Sequence, residues 1–367
     1  MLLLALTSLL AAAPGAPRAV MTQGLGSVST LAPWLSSPTA FRDPKNRTAI
    51  GRSLQTLAHL QHPFFREPGS SSTGVGELFG RQAERAQDDF ARGNTESARF
   101  RVQALTQLCL SCHLREPSRD FIDVTKAVDA LHLPPLQQAQ YYATTRQFDL
   151  ALALWRVELA RPVKLESEQF EQLEALRLAL RVAVRVKDDP RLAQQLIAPQ
   201  LERGGLPGFA LRELETWQAD AKAWQNEHFV LSERTPTDLV ARARTLVDAT
   251  GAATNTGAMP QEFLSLLRAA SYLDEVMRQE PEGPMRGEAL YLLGVVHASI
   301  SDSPLWQLEW MYFEACIREN AGAPLATRCG ERLKDRTWFI WRTGADMPAS
   351  TQGALKELML LAKVSNP

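Results

Sequence analysis

The residues in this chain whose types and spacing define a chemistry are Cys109-Leu110-Ser111-Cys112-His113. Two thiols two residues apart, followed at once by an imidazole, form the C-x-x-C-H spacing that attaches a c-type haem. The sulfurs add across the haem vinyl groups and the histidine takes the iron as proximal ligand. On a helix, positions 109, 112 and 113 stand at i, i+3 and i+4, so all three share one face. Ala98, Val102 and Leu105 continue that face at helical spacing, which makes it the apolar one. A zinc half-site, a redox dithiol and a chance match are the other readings. Structural zinc wants four ligands, and no second Cys/His cluster of that kind stands in the sequence. A thioredoxin-like dithiol needs a βαβ setting, and these surroundings read as helical throughout. One covalent haem c on Cys109, Cys112 and His113 is the expectation.

The sixth iron position has two candidates, His62 and His59. In an antiparallel bundle the helix that ends in C-x-x-C-H brings the loop from Leu60 to Ser72 to the haem end. Pro63 holds His62 out of helical conformation, and Phe64 and Phe65 stand ready to cover an imidazole. This places His62 ahead of His59, which is read as lying nearer the apolar side of its own helix. His132 is an outside candidate, and an open or water-bound iron is the alternative to both.

The elements that must position these groups are helices. Residues 46–125 hold three of them: Asn46 to Leu60, Thr73 to Arg92 with the stripe Val75, Phe79, Ala83, Ala86 and Phe90, and Thr95 to Arg115. Gly93-Asn94 separates the last two, and Pro117 stops the third. Residues 21–45, rich in Gly, Ser and Pro, read as a linker or loosely docked arm. Ahead of them Leu2 to Ala13 is a short apolar run of the length of a signal-peptide core, too short to span a bilayer. Residues 1–20 are therefore expected to be a signal peptide, with Ala13, Ala16 and Ala19 as cleavage candidates. An exported, soluble, periplasmic protein with no stable membrane anchor follows, the compartment in which C-x-x-C-H receives its haem.

The order of a Phe-containing amphipathic helix, a Gly-Asn corner and a helix ending in C-x-x-C-H resembles the c-prime-type cytochromes. That resemblance covers Asn46 to Glu116 and implies an antiparallel helical bundle. The family usually carries an aromatic residue and then Arg after the histidine, where this chain has Glu116 and Pro117. Arg115 and Arg119 are the stand-ins for neutralising the haem propionates. A small cytochrome capped by a downstream methionine is argued against, because no methionine stands between His113 and Met259.

Beyond Leu136 the pattern changes. Ala139, Tyr142, Phe148, Ala151, Trp155 and Pro162 alternate small and large residues as a helix pair does, and their order resembles a tetratricopeptide repeat. Helices follow at 166–187, 190–203, 207–226, 236–249, 260–280, 284–300, 304–320, 324–341 and 350–363. Thr235, Pro236 and Asp238 give the start at 236 as N-cap, first helical residue and first-turn acid. Leu290, Leu293-Gly294, His297, Tyr312 and Ala315 again look repeat-like. The expected fold is all-α, a small haem bundle followed over residues 135–367 by a tetratricopeptide-like α-solenoid.

Other features carry plainer readings. Cys316 and Cys329 lie symmetrically about the Asn320-Ala321-Gly322-Ala323 turn between two antiparallel helices, and are expected to be bonded in an oxidising compartment. Arg177, Arg181 and Arg185 read as one solvated helix face. Trp217, Trp224, Trp306, Trp310, Trp338 and Trp341 read as core, and His228 and His297 as packing or surface histidines. With 40 basic and 41 acidic side chains in 367 residues, and a net charge of -1, no electrostatic footprint for nucleic acid is present. Hydrophobic residues at 45% suffice for substantial cores. No phosphate loop, nucleophile elbow or acid pair compels an enzyme. One-electron transfer is the expected role, with the repeat surface docking a protein partner of the redox kind. A haem-based gas or redox sensor and a scaffold with structural haem are the alternatives, with a haem peroxidase a weaker fourth.

Overall fold

The structure is a computed structural model that describes residues 16–35, 37–60, 73–113, 125–130, 133–163, 165–204, 208–252, 262–280, 282–300, 308–341, 347 and 349–363. Regular structure among the described residues is helical, with no strand. The chain is all-α.

The N-terminal bundle is built from α1 (Ala16–Leu35), the short α2 (Pro38–Arg42), α3 (Arg47–His59), α4 (Thr73–Ala91) and α5 (Thr95–His113). Named contacts give the directions. Leu60, just past α3, reaches the Cβ direction of Gly24 in the first half of α1. Phe90, at the end of α4, meets Gly51 and the Arg47 guanidinium at the start of α3. Gly93, at φ +87°, turns the chain between α4 and α5, and the Asn94 amide donates back to Asp89 O at 2.8 Å. This left-handed closing of a helix is the conformation glycine adopts without a Cβ penalty. Neighbouring helices therefore run antiparallel, and the end of α3 and the end of α5 lie at the same end of the bundle. Leu31, Ile50, Leu54, Leu57, Ala86, Ala98, Val102 and Leu105 fill the interior. Phe41 and Phe90 meet edge to face at 5.7 Å.

The arm read from Gly, Ser and Pro over 21–45 is instead mostly helix. Val28, Leu31 and Leu35 of α1 are buried at i, i+3 and i+7 spacing, and burial outweighs the weak propensity of Gly24 and Gly26. Two α5 side chains, Arg99 and Gln103, donate to the Leu35 carbonyl at 2.7 and 2.9 Å. They supply partners to the last carbonyl of the helix, beyond the reach of its own amides. The bundle thus has four helices, with α1 closing against α5.

The rest of the chain is α6 (Thr125–Ala130), α7 (Pro135–Thr144), α8 (Phe148–Ala160), α9 (Glu166–Arg185), α10 (Pro190–Arg203), α11 (Gly208–Gln225), α12 (Pro236–Ala249), α13 (Phe263–Gln279), α14 (Arg286–Ile300), α15 (Leu308–Glu319), α16 (Pro324–Trp341) and α17 (Ala349–Ala362). The pairs α7/α8, α10/α11, α12/α13 and α14/α15 pack as consecutive hairpins. At the start of α12 the Thr235 hydroxyl accepts from the Asp238 amide at 3.2 Å, and the Asp238 carboxylate accepts from the Thr235 amide at 3.3 Å. Thr235 is the N-cap expected from the sequence, and Asp238 makes the cap reciprocal. Between α14 and α15 the Phe313 ring packs so closely on Gly294 that a Cβ there would collide with it.

The bundle and the later helices touch at both ends of the sequence. Ser29 of α1 hydrogen-bonds Tyr141 of α7. At the other end of the sequence α15 packs against α5, and Arg101 of α5 donates to Thr351 of α17.

Candidate functional site

The backbone of α5 stays helical through His113. Positions 109, 112 and 113 therefore continue the face on which Ala98, Val102 and Leu105 are buried. The side chains of Cys109, Cys112 and His113, like all of His62 and His132, lie outside the described residues. So do Arg115, Glu116, Pro117 and Arg119. The donor set of two thiols and an imidazole on one helical face fits covalent haem, and the same face is apolar where it is described. Among the described residues no group of three or more His, Cys, Asp or Glu side chains is placed to hold a metal ion.

His59 is described, and it stands on the exposed side of α3, between buried Ala58 and Leu60. It does not lie on the apolar side. The 100° advance per residue puts Leu54, Leu57 and Ala58 inward and carries position 59 outward. Its Nδ1 is 2.6 Å from the Gln55 carbonyl oxygen. A carbonyl only accepts, so Nδ1 is the donor in this contact.

The upper part of α5 is fixed by a buried polar network. Arg101 donates through Nε to Asp89 at 2.8 Å and through Nη1 to Gln82 at 2.8 Å, while Ser97 donates to the same Asp89 at 2.6 Å. One turn along α4, Arg85 grips Glu314 of α15 with both guanidinium nitrogens, at 2.6 and 2.7 Å. Arg318 donates through Nε to Glu314 Oε1, the oxygen that Arg85 Nη2 also holds, at 2.9 Å, and to Glu357 of α17 at 2.7 Å. Burial alone would raise the Glu314 carboxyl, but the two arginines outweigh it and hold the group below the usual carboxylate range. Burial lowers the Arg101 guanidinium from its ordinary value, against the pull of Asp89. Nothing in the sequence pattern marks this network, because its partners come from opposite ends of the chain.

Three plainer readings change or find their place. Arg177, Arg181 and Arg185 are not a solvated face. Arg177 pairs with Glu213 at 3.0 Å, Arg181 donates to the Ile300 carbonyl at 3.0 Å and Arg185 pairs with Asp274 at 2.5 Å. The signal was present in the neighbours: Ala175, Leu176, Leu178, Ala179, Leu180, Val182, Ala183 and Val184 of α9 are all buried. A helix with apolar residues all round is enclosed, and its arginines are enclosed with it. Trp217, Trp224 and Trp310 are core as expected, but Trp338 is 63% exposed, and Trp306 and the side chain of Trp341 lie outside the described residues. His228 is a surface histidine. His297 is buried and stacked on Tyr312 with ring centres 5.2 Å apart. Burial first, then the charges of Arg185 and Arg181, hold its imidazole well below the ordinary range.

Cys316 and Cys329 stand at disulfide-bonding distance, with Cα atoms 6.3 Å apart and both residues fully buried. They join α15 to α16 behind the surface that carries Glu314.

Comparison with known proteins returns no family model, no curated protein and no solved structure that matches this chain.

Proposed function

We propose that this chain is an exported, periplasmic monohaem c-type cytochrome of the c-prime kind that transfers single electrons and docks a redox protein through a tetratricopeptide-like α-solenoid. The observation that carries the reading is the C-x-x-C-H run at the end of α5, whose backbone continues a buried apolar helix face. Two thioether bonds to Cys109 and Cys112 would keep the group in place through repeated cycling, and His113 would hold the iron. The group itself supplies a one-electron iron couple. The chain's part is to fix the helix. Arg99 and Gln103 lock α5 to the end of α1, and Arg101 locks it to α4 and α17. A rigid helix keeps the iron environment the same in both oxidation states, which lowers the reorganisation accompanying electron transfer.

A pyridine haemochrome spectrum and the intact mass of the exported protein test the proposal. One haem retained after denaturation is expected, and haem lost into acid-acetone refutes it. His62 remains ahead of His59 for the sixth position. His62→Ala should convert a low-spin spectrum to high-spin and His59→Ala should leave it unchanged. A wild-type protein that is already high-spin and takes up CO when ferrous would establish the sensor reading instead.

A further inference from the structure

Three buried polar groups without a hydrogen-bond partner among the described residues meet where α9, α13 and α14 pack. Arg185 of α9 is 5% exposed; its Nη2 goes to Asp274 of α13 at 2.5 Å, and its Nε has no partner. Ser271 stands one turn before Asp274 on the same side of α13, so it faces α9 as well. It is 2% exposed and its hydroxyl has no partner. His297 of α14 is 4% exposed, and its Nε2 has no partner.

The three belong to one place. The Arg185 and Arg181 charges both act on the His297 ring, so the ring lies beside these guanidinium groups. Arg181 also donates to the Ile300 carbonyl, one turn beyond His297 on α14. Tyr312 stacks on a face of the imidazole, which fixes the plane of the ring. One orphaned polar atom is a local defect, but three from three helices call for a common partner.

The donor chemistry says which partner. A guanidinium Nε only donates, a serine hydroxyl can donate, and a neutral imidazole donates from Nε2 in one tautomer. Arg181 and Arg185 repel a metal cation from this position. A carboxylate, with about four acceptor sites on its two oxygens, satisfies all three donors and is drawn by the guanidinium charge. A water molecule would satisfy hydrogen bonds without answering that charge. The Asp274 side chain is 16% exposed and Arg181 is half-buried, so the cluster reaches solvent along that edge.

We infer that Arg185, Ser271 and His297 form a binding site for a small carboxylate, built into the later helices and independent of the haem.

Acetate is the probe. The full chain, labelled with nitrogen-15 in its histidines, is titrated with sodium acetate at constant ionic strength while the imidazole nitrogens are followed by magnetic resonance. A saturable shift is expected at one Nε2 resonance, and His297→Gln should remove that resonance. Ser271→Ala should weaken acetate binding about tenfold, the loss of one hydrogen bond to a charged group, with helicity by circular dichroism unchanged. Arg185→Lys should weaken it at least as much. Should Arg185→Lys fail to fold, Ser271→Ala decides alone. No saturable shift overturns the inference, and so does a shift that chloride reproduces, which marks an adventitious ion only. A shift unchanged by Ser271→Ala overturns the site, and tighter binding of inorganic phosphate than of acetate overturns the carboxylate.

Discussion

Arg85 and Glu314, 229 residues apart in the chain, form a two-pronged ion pair that fastens the helical bundle to the C-terminal helices. The Glu314 side chain is 1% exposed, and Arg318 shares its Oε1 with Arg85. The pair is a buried contact between the bundle and the later helices.

Glu314→Ala would leave two arginines facing a buried hole. Breaking a buried pair by removing one partner costs about 3 kcal/mol or more. Urea unfolding should show that loss, and Arg85→Ala should show a smaller one because Arg85 is partly exposed. Equal midpoints for Glu314→Ala and wild type would remove the seam from the account of stability.

The same carboxylate predicts an acid response. Its folded-state pKa is depressed, so the stability it contributes is fully present above the ordinary value of 4.5 and is lost as pH falls through the folded value below that. His297 adds to the loss in a higher window. Its folded pKa lies well below 6.5, so the unfolded chain takes up a proton first as pH drops below 6.5, and stability falls. Urea midpoints should thus decline from about pH 6.5 downward. His297→Phe should flatten the upper part of the decline, and Glu314→Gln the lower part.

Cys109→Ala and Cys112→Ala should each retain at most one thioether bond, read as a pyridine haemochrome band shifted from that of the wild type because one vinyl group stays unsaturated. His113→Ala should alter the iron spectrum while leaving both covalent bonds in place. A protein exported without haem would contradict both outcomes.

Thiol counting under denaturing, non-reducing conditions should find Cys316 and Cys329 unreactive. Removing the bridge with Cys316→Ser and Cys329→Ser, across a sequence separation of 13, should cost roughly 3 kcal/mol. Two reactive thiols in the wild type would disprove the bond.

Gly294→Ala should be destabilising although alanine is the better helix former. The added methyl meets the Phe313 ring, and overpacking a filled core costs about 1–3 kcal/mol. A double change, Gly294→Ala with Phe313→Leu, should recover part of the loss in a thermal melt.

Local features were legible in the sequence because short-range forces decide them. The cap of Thr235 with Asp238 starts α12 at Pro236, the Gly93 corner ends α4, and the 109, 112, 113 spacing needs only helical geometry to place three positions on one face. The bonding distance between Cys316 and Cys329 also followed from a local hairpin, since each lies close to the same turn. What lay beyond the sequence was decided between distant segments. Val28, Leu31 and Leu35 form a helix despite Gly24 and Gly26 because α3 and α5 cover them. Arg177, Arg181 and Arg185 share one face by spacing alone, but only the packing of α11, α13 and α14 around α9 turns that face inward and supplies Glu213, Asp274 and a carbonyl. No local pattern tells Arg85 that Glu314 exists. Their meeting depends on the path of every helix between them, which tertiary packing alone determines.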